Sequence, residues 1–125
     1  MSQKNWHILV VEDDPDGQEV VATILGHLNL SFDVANNVAE AEELLFRSGT
    51  TYHVAILDLA LPDKNGWDLL AEILEDPKTA SLPCIAVTAY HTSKLREDAI
   101  RAGFTAYFAK PIDATAFARR LEELV

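Results

Sequence analysis

Five short apolar runs, rich in β-branched residues, recur along the chain at intervals that leave room for a helix between successive runs. The runs are continuous instead of alternating, as residues 8–11 (ILVV) and 54–57 (VAIL) illustrate. A strand that is apolar on both faces needs cover on both faces, which is typical of a parallel sheet between two layers of helices. The runs therefore predict five parallel strands, at residues 7–11, 32–35, 53–57, 84–88 and 105–109.

Between the predicted strands, apolar residues recur at helical spacing, for example within residues 20–28 and again within residues 117–124. We expect the third and fourth helices at about 66–76 and 92–102, with Gly103 ending the latter. Capping residues mark four helix starts, which are Asp14 before Pro15, Asn37 with Glu40 three positions later, Asn65 or Gly66, and Asp113 after Pro111.

Strands that alternate with helices predict an α/β fold, here a doubly wound five-stranded parallel sheet flanked by five helices with right-handed crossovers. The chain has 125 residues, of which 49% are hydrophobic, enough for one sizeable core and too few for two ordinary domains. We therefore expect a single domain over residues 1–125. No internal repeat, low-complexity tract or linker in the sequence points to a second one.

The net charge of the chain limits the kinds of partner that it can bind. A formal charge of −10 argues against nucleic acid, because proteins bind it largely by neutralising phosphates with Lys and Arg. The charge is also uneven, since residues 1–50 contain nine acids and two bases whereas residues 94–125 contain five acids and six bases. The last third of the chain is therefore a candidate recognition surface.

The length of the apolar stretches and the number of cysteines indicate where in the cell the protein is located. No apolar stretch is long enough to cross a bilayer, and the N-terminus lacks the charged head and long apolar body of a secretory signal. We expect no membrane partner and a cytoplasmic location. Cys84 is the single cysteine, so no intrachain disulfide can form, and its apolar neighbours indicate a core residue.

Polar residues stand at the carboxyl ends of four of the five predicted strands, and ligands bind at this edge of an open parallel sheet. An ionised carboxylate such as Asp58, after four apolar residues, is costly to bury without a partner. Carboxylates that converge there repel each other by about 4 kcal/mol per pair at a separation of about 4 Å. A divalent cation removes this repulsion, and a few oxygen ligands with room for water favour Mg²⁺ or Mn²⁺ over Zn²⁺. The residues at these ends are Glu12-Asp13-Asp14, Asp58, Thr88-Ala89 and Lys110-Pro111.

Lys110 and Thr88 suit a phosphoryl group at the same edge. The ammonium of Lys110 can pair with Asp58 at rest and with a phosphoryl oxygen after transfer, and the Thr88 hydroxyl can donate to the same group. Each residue also has an ordinary structural interpretation, since Asp14 can cap a helix, Thr88 can be a strand residue and Lys110 can be solvated. The four histidines lack metal-ligand spacing, and only His91 is expected near the site.

These residues resemble the response-regulator receiver domains of two-component systems, the CheY-like family. The resemblance covers the whole chain, and although each motif is weak alone, the set in this order is highly specific. It implies a phosphoacceptor domain with at most self-phosphorylation and self-dephosphorylation activity, and no conventional enzyme. The motifs are LVVEDD at 9–14, LDLALP at 57–62, Gly66, Thr88-Ala89, AGFTAY at 102–107 and Lys110-Pro111.

The resemblance implies that Asp58 accepts a phosphoryl group from a histidine kinase or a histidine phosphotransfer protein, with Lys110 beside it. It also implies Mg²⁺ bound by Asp13, by Asp58 and by the backbone carbonyl of Ala60. Glu12 would act on the metal through a coordinated water. Neutralisation of charge around the phosphoryl group, and not a general base, would carry the reaction.

By the same resemblance, Thr88 and Tyr107 form a switch that changes the surface of the fourth helix, fifth strand and fifth helix. We expect an output protein of unknown identity to bind there. The Lys110–Pro111 peptide bond is expected to be cis. The chain is expected to be a monomer or a weak dimer that forms on phosphorylation.

We predict that the phosphorylated chain loses its phosphoryl group slowly. Ala60 has no side-chain group to orient a hydrolytic water, and Tyr90 can shield the site. A phosphohydrolase of the haloacid dehalogenase type is a rival interpretation, but its pattern has a second Asp where Ala60 stands. A flavodoxin-like cofactor carrier shares the fold, yet the acids at 12–14 would repel a flavin phosphate. A receiver-like interaction module without phosphorylation is the third alternative.

Overall fold

The computed structural model describes residues 6–60 and 66–124, and over these residues five strands alternate with five helices. All neighbouring strands are parallel, so the expected α/β fold with a five-stranded parallel sheet and five helices is confirmed. None of the described helices is both long enough and apolar enough to span a membrane. The elements in chain order are β1 (His7–Val11), α1 (Pro15–His27), β2 (Ser31–Ala35), α2 (Val38–Phe46), β3 (Val54–Asp58), α3 (Gly66–Glu75), β4 (Cys84–Thr88), α4 (Ser93–Ala102), β5 (Ala106–Ala109) and α5 (Ala114–Leu124).

The strand order is β2-β1-β3-β4-β5, so the chain first moves from β1 to one side and then returns to the other. The direction reverses between β1 and β3, and ligands bind at the carboxyl ends of strands beside such a reversal. Val11 of β1 pairs with Leu57 of β3. The next residues along the two strands, Glu12 and Asp58, therefore lie at the same edge of the sheet.

Both faces of the sheet are covered. Leu9 and Val11 of β1 lie in one core with buried residues of α2, α3 and α4. Ile8 and Val10 lie in a second core with buried residues of α1 and α5. This two-sided burial explains why the strands are apolar throughout. Cys84 lies in the first core, and burial raises the pKa of its thiol to about 12, which makes it an unreactive core residue.

The helix starts follow the capping residues that the sequence predicts. The N–H of Glu40 donates to Asn37 Oδ1 at 2.8 Å, and the N–H of Asp16 donates to Asp14 Oδ1 at 3.4 Å. Gly103 ends α4 with a φ of 123°, a conformation that residues with a Cβ rarely adopt. Local chemistry therefore accounts for where these helices begin and end.

Several element ends differ from the predicted ends by one residue. Strand β3 includes Asp58, because Asp58 still pairs with Val87 of β4. Helix α4 begins after Thr92, because the hydroxyl of Thr92 accepts the N–H of Leu95 at 3.0 Å and so caps the helix. Three residues of the predicted pattern lie outside the described residues, namely Leu61, Pro62 and Asn65.

Candidate functional site

The carboxyl edge of the sheet collects the buried polar side chains of the part of the chain that the structure describes. These are Glu12 after β1, Asp58 at the end of β3 and Thr88 at the end of β4, with exposed fractions of 4%, 6% and 1%. Lys110 follows β5 at this edge, and the Lys110–Pro111 bond is cis, as the resemblance implies. The structure thus brings together polar residues from four strand ends.

Lys110 bridges the two buried carboxylates. Its Nζ lies 2.6 Å from Glu12 Oε1 and 3.0 Å from Asp58 Oδ2. The second oxygen of Asp58, Oδ1, accepts the N–H of Ala60 at 2.9 Å. The second oxygen of Glu12, Oε2, accepts the N–H of Asp14 at 3.2 Å. Every oxygen of the two carboxylates is therefore held by a donor, and the charge-assisted bonds from Lys110 are the strongest of them.

Burial disfavours ionisation in this cluster. Burial raises the pKa of Glu12 to about 7, and a hydrogen bond to Asp58 and the charge of Asp58 act in the same direction. Lys110 and the N–H of Asp14 act to lower this pKa but are outweighed. Burial also acts to lower the pKa of Lys110, but its bonds to Glu12 and Asp58 outweigh burial and the pKa is raised. Lys110 therefore remains the cation of the cluster, and its single charge faces more than one acid.

Glu12, Asp13 and Asp58 form a candidate metal site. Each offers a carboxylate oxygen, and these oxygens lie within 4.8 Å of one another. Glu12 and Asp58 are buried whereas Asp13 is exposed, so the cluster opens to solvent on one side. Hard oxygen donors with an open side fit Mg²⁺, which keeps several waters in protein sites. Ala60, the other predicted contributor, adjoins this cluster through the bond from its N–H to Asp58.

Two glycines, Gly17 in α1 and Gly66 at the start of α3, allow these helices to approach the site closely. The sequence analysis assigned no role to Gly17. A Cβ on Gly17 would lie 2.6 Å from Glu12 Oε1 and would displace this carboxylate. A Cβ on Gly66 would lie 2.6 Å from the carbonyl oxygen of Asp58, so α3 can begin this close to β3 only with glycine there. Glycine inside a helix is unfavourable without a packing reason, which is the signal by which Gly17 could have been found.

Thr88 and Tyr107, the predicted switch residues, have defined partners. Thr88 Oγ1 accepts the N–H of Tyr90 at 3.1 Å, while the residue Tyr90 is 73% exposed. Tyr107 is 9% exposed, and its hydroxyl lies 3.1 Å from Nδ1 of His91. Burial raises the pKa of Tyr107, and the charge of Arg96 acts in the opposite direction. The sequence indicated only that His91 lies near the site, and no motif encodes its contact with Tyr107.

Comparisons with known proteins identify relatives of this chain. A family model described as response regulator receiver domain matches residues 8–122. The chain is 36% identical over 116 residues to an uncharacterized 14.6 kDa protein in the sodA1 3′ region of Leptolyngbya boryana, over 93% of this chain and 87% of that protein. It is also 36% identical over 118 residues to the response regulator protein PilR of Pseudomonas aeruginosa, over 94% of this chain and 24% of that protein. The chain therefore spans about a quarter of the length of PilR.

A solved structure has the same architecture. The receiver domain of the sensor histidine kinase PA1611 from Pseudomonas aeruginosa PAO1 aligns with a TM-score of 0.85 and 28% sequence identity, over 97% of this chain and 98% of that one. That structure has a magnesium ion coordinated in its active site cleft. The similarity therefore extends over nearly the whole chain.

Proposed function

Because the chain belongs to the response regulator receiver domain family, we propose that residues 1–125 act as one receiver domain in which Asp58 is the phosphoacceptor of a two-component switch. One observation carries the proposal. Asp58 is 6% exposed at the end of β3, its Oδ2 lies 3.0 Å from the ammonium of Lys110, and the carboxylates of Glu12 and Asp13 surround it. The ammonium of Lys110 supplies positive charge beside Asp58, which is what an electrophile with its own negative oxygens needs in order to approach a carboxylate.

The donor is a phosphohistidine of a histidine kinase or a histidine phosphotransfer protein. A carboxylate oxygen of Asp58 forms a bond to phosphorus while the bond between phosphorus and the histidine nitrogen breaks, and the imidazole that leaves takes up a proton. The products are an aspartyl phosphate and a neutral histidine. Because ionised Asp58 loses no proton in this step, the transfer needs no general base and depends on positioning and charge neutralisation.

Lys110 and Thr88 supply that neutralisation from the protein. Lys110 spans Glu12 and Asp58 at rest, so its ammonium is already within reach of a phosphoryl group on Asp58. The Thr88 hydroxyl accepts the N–H of Tyr90, which leaves its own proton free for a phosphoryl oxygen. Both residues therefore stabilise charge that the transfer brings into a buried site.

The acidic cluster suits a bound Mg²⁺. By the resemblance to receiver domains, Asp13, Asp58 and the backbone carbonyl of Ala60 would be direct ligands and Glu12 a ligand through water. The carboxylate oxygens of Glu12, Asp13 and Asp58, which lie within 4.8 Å of one another, support a metal at this place. When bound, Mg²⁺ would supply positive charge that offsets the negative charge of the phosphoryl group. The magnesium ion in the receiver domain of PA1611 supports the same choice of metal.

The domain would signal its phosphorylation to another protein through a change in the shape of its own surface. On phosphorylation, Thr88 would move toward the phosphoryl group and Tyr107 would repack with it. These movements would alter the face formed by α4, β5 and α5, to which an output protein binds. The domain would work in the cytoplasm, as a monomer or a weak dimer that forms on phosphorylation. It stores a phosphoryl group, with self-phosphorylation and self-dephosphorylation as its only chemistry.

The test is incubation of the chain with Mg²⁺ and acetyl phosphate, followed by intact mass. We expect a gain of one phosphoryl group that Asp58→Asn abolishes. The matched control is Asp98→Asn on α4, which makes the same chemical change outside the site and should leave the gain intact. Absence of any gain in the unaltered chain at every Mg²⁺ concentration would refute the proposal.

A further inference from the structure

A pocket of about 260 Å³ lies at the amino edge of the sheet, where the strands begin, and therefore at the opposite edge from Asp58. Its walls come from the last turn of α2 with the loop that follows it, and from the segment that connects α3 to β4. Tyr52, two residues before β3, also lines it. The described residues that line the pocket include no member of the acidic cluster, so a function of this pocket is separate from the proposed one.

Hydrogen bonds hold both walls of the pocket in place. In the segment between α3 and β4, the hydroxyl of Thr79 donates to the carbonyl oxygen of Ile73 at 2.7 Å, and the N–H of Leu82 donates to the carbonyl oxygen of Thr79 at 2.9 Å. In the loop after α2, the N–H of Thr50 donates to the hydroxyl of Ser48 at 3.2 Å. The pocket is therefore formed before any ligand enters it, as is usual for small-molecule sites.

The apolar part of the lining contains two aromatic rings. Phe46 ends α2 and is partly buried, while Tyr52 is 8% exposed. The hydroxyl of Tyr52 donates to Asp33 Oδ2 at 2.6 Å, which holds its ring in one orientation. Leu45 and Leu82 complete this part of the lining. A flat apolar ring suits such a surface, because aromatic rings pack favourably edge to face or offset against one another.

The polar part of the lining has one charged group, the ammonium of Lys78. Lys78 is exposed, and none of the ion pairs within residues 6–60 and 66–124 involves it. Thr50 and Thr51 add hydroxyl groups, and no Asp or Glu is among the described residues that line the pocket. Asp76, the nearest acid along the chain, accepts the N–H of Lys78 at 2.9 Å and does not line the pocket. The pocket therefore combines apolar surface with a cation that lacks an acidic partner.

We propose that this pocket binds a small aromatic carboxylic acid, with its ring against Phe46 and Tyr52 and its carboxylate paired with Lys78. The size of the pocket favours a small molecule, since a segment of a partner protein buries far more surface than a cavity of this size offers. A carboxylate is favoured over an amine, because the pocket supplies a cation and no acid. Repulsion by the net charge of −10 is limited, since exposed charges are screened beyond about 8 Å at physiological ionic strength.

The test compares three probes of nearly the same shape, namely phenylacetate, the neutral phenylacetamide and the cationic phenethylamine. Binding to the full chain is followed by NMR of the backbone amides, which reports both the affinity and the place of binding. We expect phenylacetate to shift the amide signals of Thr51, Tyr52 and Lys78 in a saturable manner, and phenethylamine to leave them unchanged. Phenylacetamide should bind more weakly than phenylacetate, because it forms no ion pair with Lys78.

Lys78→Gln tests the ion pair directly. It should weaken the binding of phenylacetate about fivefold, the upper range for an exposed pair, and should leave the weaker binding of phenylacetamide unchanged. The matched control is Lys94→Gln, which removes the same charge on α4 at a residue that does not line the pocket. This control should retain the affinity of the unaltered chain for phenylacetate.

Thermal unfolding gives a second measurement. A ligand that binds only the folded chain raises its Tm, so phenylacetate should raise the Tm of Lys94→Gln more than that of Lys78→Gln. Equal affinity for phenylacetate and phenylacetamide, or equal weakening in the two lysine variants, would overturn the inference. Amide shifts that do not saturate, or that are confined to other parts of the chain, would overturn it as well. None of these outcomes affects the phosphoacceptor role, which the gain of mass with acetyl phosphate tests separately.

Discussion

At the scale of single residues, Lys110 supplies the positive charge that offsets the buried carboxylates of the site. Its ammonium is the cation between Glu12 and Asp58, which are 4% and 6% exposed. Without Mg²⁺, Lys110→Ala should lower the free energy of unfolding by about 2 kcal/mol or more, because removing one partner of a buried ion pair leaves charge uncompensated. Phosphorylation by acetyl phosphate should slow as well, since a phosphoryl oxygen loses its cation.

Urea unfolding in the presence of a chelator measures this change. Lys94→Ala is the matched control, because Lys94 pairs with Asp98 at 3.6 Å on the surface and exposed pairs contribute little. Equal stability of the two variants would mean that Lys110 has no special electrostatic role in the resting chain.

Tyr90 and Ala60 bear on the lifetime of the phosphorylated chain. Ala60 has no side-chain group to orient a water, and Tyr90 is 73% exposed beside Thr88, to which its N–H is bonded. We expect slow decay of the phosphoryl group after removal of the donor. Tyr90→Ala should accelerate the decay, whereas Tyr90→Phe keeps the ring and should not. Intact mass over time follows the decay, and complete loss from the unaltered chain within seconds would contradict the prediction.

At the scale of elements, the start of α3 depends on Gly66. A Cβ there would lie 2.6 Å from the backbone oxygen of Asp58, and backbone cannot rotate away as a flexible side chain can. Gly66→Ala should therefore shift α3 and lower the free energy of unfolding by about 1–3 kcal/mol. Gly26→Ala is the matched control on α1, where a Cβ meets nothing within 4 Å. It should stabilise the chain by about 0.5–1 kcal/mol through helix propensity. Equal effects in urea unfolding would disprove the close approach.

The segment between β4 and α4 is joined to β5 by His91 and Tyr107, whose ring centroids lie 5.5 Å apart. His91→Ala should expose Tyr107 and bring its pKa down toward the ordinary value, because burial is what raises it. An NMR titration of the tyrosines, with Tyr107→Phe to assign the signal, measures this change. His27→Ala on α1 serves as the control. An unchanged Tyr107 pKa in His91→Ala would show that His91 does not hold the ring.

At the scale of the whole molecule, the amino edge of the sheet has a polar network of its own. His7 Nε2 lies 2.8 Å from Asp33 Oδ2, and the hydroxyl of Tyr52 donates to the same oxygen at 2.6 Å. The network joins β1, β2 and the segment before β3. Hydrogen bonds from Tyr52 and then from His7 lower the pKa of Asp33 below its ordinary value of 3.8.

This network predicts a loss of stability in acid. Because the pKa of Asp33 is lower in the folded chain, its stabilisation is fully present above about pH 4 and is lost as pH falls through the folded pKa. The Asp33 side chain is 41% exposed, so we expect a contribution below about 1 kcal/mol. Asp33→Asn should be less stable than the unaltered chain at neutral pH, and the difference should shrink in acid. A difference in urea unfolding that does not vary with pH would contradict this.

The sequence by itself determined the elements and most members of the site. Each predicted strand lies within one residue of its observed position, because a strand buried on both faces must be apolar along its whole length. Glu12, Asp58, Thr88 and Lys110 could be grouped from their positions in the sequence alone, because the carboxyl ends of parallel strands share one edge whatever the strand order. That edge is where the four residues lie in the folded chain.

Only the tertiary structure decided which of these groups touch. The contact of Lys110 with Glu12, the approach of Gly17 to Glu12 and the bond between His91 and Tyr107 depend on the strand order and on how the helices pack. Apolar periodicity reports that a face is buried, but it does not identify what covers that face. A groove between α4, β5 and α5 arises in the same way, because the arginines that line it come from two helices on opposite faces of the sheet, Arg96 from α4 and Arg119 and Arg120 from α5.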